Sequence, residues 1–267
     1  MTTSSGSAPA RGGWAVAIGM AAVYTAGMAL MFGLATQPYD QPHLLMREVW
    51  WQVALLALVT VAIAFWTRLR IQRSLRVTWF SLLLIVPVVA TIAGGVYSMY
   101  LGGTDWPSVW IVILGTLFVG IGEEVAYRGV VLNALGQRVT VFWAVMISAI
   151  LFGFMHLPNL LVADSSSVYP QVVITAFVGL LFAWTYISTG GNLLLLIVLH
   201  WLYDAFLMAP VATDFGTNYT NGAPAMAICV IALVATIVMG IRHRGRSLES
   251  ALSRVDAARR QPSVATA

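Results

Sequence analysis

Charge is what this sequence has least of. Only 9% of its 267 residues are charged while 60% are hydrophobic, a balance that excludes an ordinary soluble domain and places the chain among integral membrane proteins. Lysine is absent, and all 14 basic residues are arginine. Cysteine occurs once, as Cys229, which rules out an intramolecular disulfide or a cysteine metal cluster. Its position inside an apolar run reads as a small buried side chain. No alternating ten-residue segments recur between turn signals, so a transmembrane β-barrel is excluded as well.

What remains is long apolar runs. A hydrocarbon core of about 30 Å takes roughly 20 apolar residues per helix, and eight stretches qualify: 14–35, 49–67, 79–100, 109–134, 140–157, 170–188, 192–209 and 223–241. The fold class expected is all-α, a polytopic membrane protein of about eight helices. The first run is too long for a signal-peptide core and no convincing cleavage site follows it, so it reads as a retained helix. Residues 1–13 form a polar leader, 14–246 the membrane domain, and 247–267 a basic cytoplasmic tail, expected to be disordered or to lie on the surface.

The arginines orient this arrangement. In an eight-span layout Arg11, Arg68, Arg70, Arg73, Arg76, Arg138, Arg242, Arg244, Arg246, Arg254, Arg259 and Arg260 fall on one side and only Arg47 on the other. The positive-inside rule then puts both termini in the cytoplasm of a multi-pass cell-membrane protein. The same distribution argues against nucleic acid as a partner, because the arginines flank spans and face lipid headgroups without forming a patch on a folded domain. The segment "RLRIQRSLR" at 68–76 could lie along the interface as a short amphipathic piece. Of ten tryptophans, nine sit at span ends (Trp14, Trp50, Trp51, Trp66, Trp79, Trp106, Trp110, Trp143, Trp184), as interfacial belts require. Trp201, next to His200, is the exception.

Six ionisable residues fall inside spans: Glu123, Glu124 and Arg128 on the fourth, His156 on the fifth, and His200 and Asp204 on the seventh. Such residues are costly in lipid and mark functional interiors. Counted from the cytoplasmic ends, Glu123, His156, His200 and Asp204 lie about 12 to 24 Å deep, so one site can gather them. His43 and His243, in a loop and in the basic tail, read as solvated.

Helical phase separates the two glutamates. Glu124 and Arg128 are an i, i+4 pair on one face, and Glu123 shares another with Tyr127 and Val130. Glu124 and Arg128 are therefore expected to form a structural pair, leaving Glu123 to face the histidines. Two chemistries fit the set. Glu123 can serve as general base on a water positioned by His156, with His200 and Asp204 stabilising an oxyanion. Alternatively His156, His200 and Asp204 can hold a divalent ion such as zinc that activates the water. A buried network that only locks helices together, or a proton relay, is the non-hydrolytic alternative.

The quoted residues also carry a resemblance. "EEVAYR" (Glu123 to Arg128) fits E-E-x-x-x-R, "FGFMH" (Phe152 to His156) fits F-x-x-x-H, and "HWLYD" (His200 to Asp204) fits H-x-x-x-N/D. In this order and on separate spans they resemble the three motifs of the CAAX protease and bacteriocin-processing family of intramembrane endopeptidases, over about 120–210, within a motif core of about 109–209. The resemblance implies an all-helical membrane fold and peptide-bond hydrolysis, with Glu123 and His156 activating water and His200 and Asp204 as oxyanion partners. Asp204 stands where the eukaryotic CAAX enzymes carry asparagine; a carboxylate donates to an oxyanion only when protonated, which again admits a metal-ligand role. The implied partner is a membrane-associated peptide or protein substrate. Some relatives suggest the alternative of a non-proteolytic scaffold or bacteriocin-immunity-type protein that binds a membrane partner.

Overall fold

The computed structural model describes residues 13–67, 76–102, 104–212 and 222–253. The leader up to residue 12, most of the 68–76 segment, and Arg254, Arg259 and Arg260 lie outside the described residues. The elements are helical throughout: α1 (Gly13–Leu34), α2 (Pro42–Trp66), α3 (Trp79–Leu101), α4 (Trp106–Leu135), α5 (Val141–Leu161), α6 (Ser165–Ser188), α7 (Leu193–Val211) and α8 (Gly222–Arg242). The first seven are long and apolar enough to cross a membrane, and α8 adds a shorter apolar stretch. The chain is an all-α, polytopic membrane protein.

Helix boundaries depart from the hydropathy reading where polar residues begin a helix. α2 starts at Pro42, not at 49, because proline suits the first helical turn, where no N–H is needed. Its second turn carries Arg47 and Glu48 at the surface: Arg47 Nη2 donates to Ser108 Oγ at 2.9 Å, and the Glu48 carboxylate accepts from the N–H groups of Thr36 and Gln37 at 3.0 and 3.2 Å. α6 starts at Ser165, a turn and a half before the hydropathy rise. α7 is capped as its sequence suggests, the Asn192 side chain accepting from Leu195 N at 3.0 Å.

α4 is the axis of the bundle, packed against α2 on one side and α7 on the other, while α5 pairs with α6, α3 lies on α7 and α8 lies on α6. Close approach of α4 and α7 depends on Gly120. A methyl group there would come within 3.2 Å of Ile197 O and Trp201 N, tighter than van der Waals contact allows, and small residues at such crossings are how membrane helices bring their backbones together. Trp201 then donates from Nε1 to Ile113 O at 2.8 Å. That bond explains its place away from the interfacial belts.

Three expectations are corrected. Residues 248–253 continue as a helix, with Leu248, Ala251 and Leu252 buried, and the Arg246 carbonyl accepts from Val141 N at 2.9 Å. The start of the tail is thus part of the packed structure: its leucines cover the α4–α5 turn, a burial that a six-residue amphipathic piece hides from hydropathy averaging. His243 is buried, its ring stacked on Trp184 at 5.9 Å. Trp184 itself is fully buried and donates from Nε1 to Thr236 Oγ1 at 3.3 Å, so it joins α6 to α8 and is no part of the interfacial belt. The other eight span-end tryptophans are exposed, as a lipid interface requires.

Candidate active site

The site forms where α4 changes pitch. After Glu124 the helix widens into a π-helical turn over Val125–Val131 before returning to α geometry at Leu132. Such turns are rare, and they disturb the ordinary backbone ladder. Side chains collect the carbonyls involved: Asn133 Nδ2 donates to Arg128 O at 2.7 Å and to Gly129 O at 3.1 Å, and Ser148 Oγ donates to Tyr127 O at 3.2 Å. Tyr127 points into the bundle, edge-on to Phe152 at 5.2 Å and to Tyr24 at 6.1 Å. The wide turn therefore comes immediately after the paired glutamates and holds Arg128 beneath them.

Arg128 is 1% exposed. Its Nη1 donates to Glu124 Oε1 at 2.8 Å and its Nη2 to Gly179 O at 3.4 Å, while the guanidinium lies 4.2 Å from the ring centre of Phe152 and 5.1 Å from that of Phe182. A buried cation needs both a counter-charge and polarisable neighbours, and this one has them on three sides.

On helical phase alone Glu124 pairs with Arg128 and Glu123 faces the histidines. The structure joins both glutamates to one imidazole. His200 Nδ1 lies 2.7 Å from Glu124 Oε1, and Nε2 lies 3.6 Å from Glu123 Oε2 and 3.2 Å from Asp204 Oδ2. Adjacent positions on a helix point about 100° apart, but opposite edges of a single ring can meet two diverging carboxyls, a geometry that helical phase alone does not reveal. Ionised carboxylates only accept hydrogen bonds. The contacts to Glu124 and Asp204 therefore both become hydrogen bonds when His200 carries two ring protons or when one of the carboxyls carries one.

His156 is oriented by its own helix: its Nδ1 lies 3.0 Å from Phe152 O. A carbonyl only accepts, so Nδ1 carries the proton and Nε2 keeps its lone pair. The ring stands edge-on to Phe152 at 5.5 Å, and Phe152 and Phe182 stand edge-on to His200 at 6.3 and 5.5 Å. Beyond His156 the chain makes a 3₁₀ turn, Leu157–Leu161. Asn159 N donates to His156 O at 3.0 Å, Asn159 Nδ2 to Gln171 Oε1 at 2.8 Å, and Gln171 Nε2 to Tyr39 Oη at 3.1 Å. That chain pins the turn to α6 and to the α1–α2 loop.

Phe182, Gly179, Gln171 and Tyr39 escaped the sequence reading. They sit in runs with no motif, and nothing in their spacing marks them. The six intramembrane groups are gathered as their depths suggested, with Glu123, Glu124, Arg128, His156 and His200 buried and the Asp204 side chain 16% exposed. Among the described residues, no three His, Cys, Asp or Glu side chains are grouped to hold a metal ion. His200 faces carboxylate oxygens at both ring nitrogens, so of the trio His156, His200 and Asp204 only His156 offers a free imidazole lone pair. As placed, the donors do not fit a resident zinc.

A comparison with curated proteins finds no match to the chain. A comparison with protein families does: the stretch 105–206 matches one, and it contains all six of these residues. Over that stretch, the chain is similar to the family described as type II CAAX prenyl endopeptidase Rce1-like.

Proposed function

We propose that the protein is an intramembrane endopeptidase that hydrolyses a peptide bond in a membrane-associated peptide or protein. The observation that supports this most is Glu123 Oε2. It is buried, faces the edge of an imidazole and, like Glu124 Oε2, has no hydrogen-bond partner among the described residues, but Glu124 is already held through its other oxygen by Arg128 and His200. Burying an unspent carboxylate oxygen is unfavourable in a purely structural network, and an unspent acceptor is what a general base needs.

In this reading a water donates one hydrogen bond to Glu123 and another to the free Nε2 of His156. Glu123 takes the proton as the water oxygen attacks the scissile carbonyl carbon. His200, and Asp204 when protonated, donate to the oxyanion that forms. As the C–N bond breaks, Glu123 returns the proton to the leaving nitrogen. Glu124 and Arg128 hold His200 from below. Removing a single oxyanion donor typically costs about 10²–10³-fold in rate, so His200→Ala is expected to act at that scale. The test is cell-free cleavage of membrane-anchored peptides by the purified protein. An inert wild-type protein that still captures a membrane partner would favour the scaffold alternative, in which the polar network only locks the helices.

No step here runs through a metal ion. Prolonged chelation should accordingly change the cleavage rate little. Loss of activity on chelation with recovery on adding zinc would show instead that His156, His200 and Asp204 regroup around an ion when one is present.

We further propose a cell-membrane location with both termini cytoplasmic, supported by the arginine asymmetry. Reporter fusions after Gly102 and Asp164 should read out as external, and one after Ala267 as cytoplasmic. An external signal from the last would overturn this orientation.

A further inference from the structure

Away from the active site, α3 and α8 stand apart. α3 is tied to α6 through Thr78 Oγ1 and Ser188 Oγ, 3.3 Å apart. α8 is tied to the same helix by the Trp184–Thr236 hydrogen bond and the stack of Trp184 on His243. With each wall anchored separately to α6, a cleft of about 300 Å³ stays open between them, lined by Trp79, Phe80 and Leu83 of α3 and by Val230, Val234 and Val238 of α8. Every lining residue is apolar.

From Val230 to Val238 the apolar slot runs about 12 Å along α8, long enough for an extended hydrocarbon chain to lie against both walls. Charge points to the headgroup. Val230, Val234 and Val238 follow one another at i, i+4, and the next step along that row is Arg242, exposed in the last turn of α8 and followed by exposed Arg244. Trp79 opens α3 beside Thr78, which meets Ser188 about one turn along α6 from the Trp184 that stacks on His243, so α3 begins at the same end of the cleft. An apolar slot ending in arginines at the membrane surface is suited to a lipid phosphate.

We infer that this cleft is a binding site for an anionic phospholipid, one acyl chain lying between α3 and α8 and the phosphate against Arg242. The site is independent of the proposed hydrolysis, and its test uses no substrate. The full-length protein is placed in phosphatidylcholine nanodiscs containing a trace of phosphatidylglycerol with a photoreactive diazirine in one acyl chain. Adducts are mapped by mass spectrometry. Adducts should concentrate on residues 79–83 and 230–238 and fall at least fivefold when excess unlabelled phosphatidylglycerol is added, but not with added phosphatidylcholine. Val234→Trp, which fills the slot, should abolish these adducts while leaving those elsewhere. Leu83→Trp does the same from the opposite wall and serves if the first variant fails to fold. Arg242→Gln should keep the adducts but erase the difference between competitors. Labelling spread evenly over the lipid-facing helices, equal competition by both lipids, or cross-links joining two copies through this cleft would each overturn the inference.

Discussion

Glu123→Gln should yield as much folded protein as the wild type and lower its cleavage of a membrane-anchored peptide by about 10²–10⁴-fold, the usual loss when a positioned general base is removed. The substitution keeps the side chain's shape. It leaves untouched the 2.7 Å contact of Glu124 with His200 and the 2.8 Å pair of Glu124 with Arg128, so the packing around the site has no reason to change. Only the acceptor that takes the proton is lost. His156→Ala should fall in the same range, since the Nδ1 bond to Phe152 O leaves Nε2 with no other evident use. Yield is followed by size-exclusion chromatography and activity by release of the cleaved fragment. Cleavage by Glu123→Gln at the wild-type rate would end the enzymatic reading.

How much of this was legible in the sequence depends on what kind of signal each feature leaves. Spans are written in long averages, and the hydropathy runs located the helices to within a few residues except where Pro42 and Ser165 start them early with polar turns. The ordered motifs named the six polar residues, and the i, i+4 spacing named the Glu124–Arg128 pair. Other features are set only by tertiary contact. The π turn after Glu124 leaves no pattern in the run "VAYRGVV". Phe182, beside Arg128 and edge-on to His200, is one aromatic in an apolar stretch. His243 looked solvated because its neighbours in sequence are arginines, whereas its neighbour in space is Trp184. The joint hold of Glu123 and Glu124 on His200 was hidden for a similar reason: phase on one helix cannot anticipate a ring arriving from another.

The pair beneath the site should behave quite differently from the base. Arg128→Met or Glu124→Leu leaves an uncompensated charge in a fully buried setting, where removing one partner of an ion pair costs about 3–5 kcal/mol. Either variant should sharply lower the amount of folded protein and its thermal midpoint. Arg128 has the more to lose, since Gly179 O, Phe152 and Phe182 all lose their contact with the guanidinium. The double variant Glu124→Leu with Arg128→Met leaves no charge behind and fills similar volume, so it should be more stable than either single variant, because a well-packed apolar pair often replaces a buried ion pair without loss. Yet it should remain inactive, because Glu124 also holds His200 Nδ1 at 2.7 Å and without that acceptor the imidazole is free to turn away from Glu123. Midpoints from thermal unfolding in detergent and cleavage rates for the four members of this cycle separate the two roles. A double variant as unstable as the sum of the singles would show that the arginine's contacts to Gly179 and the aromatic rings, not its charge pairing, hold this part of the bundle; one that regains activity would remove Glu124 from the positioning of His200.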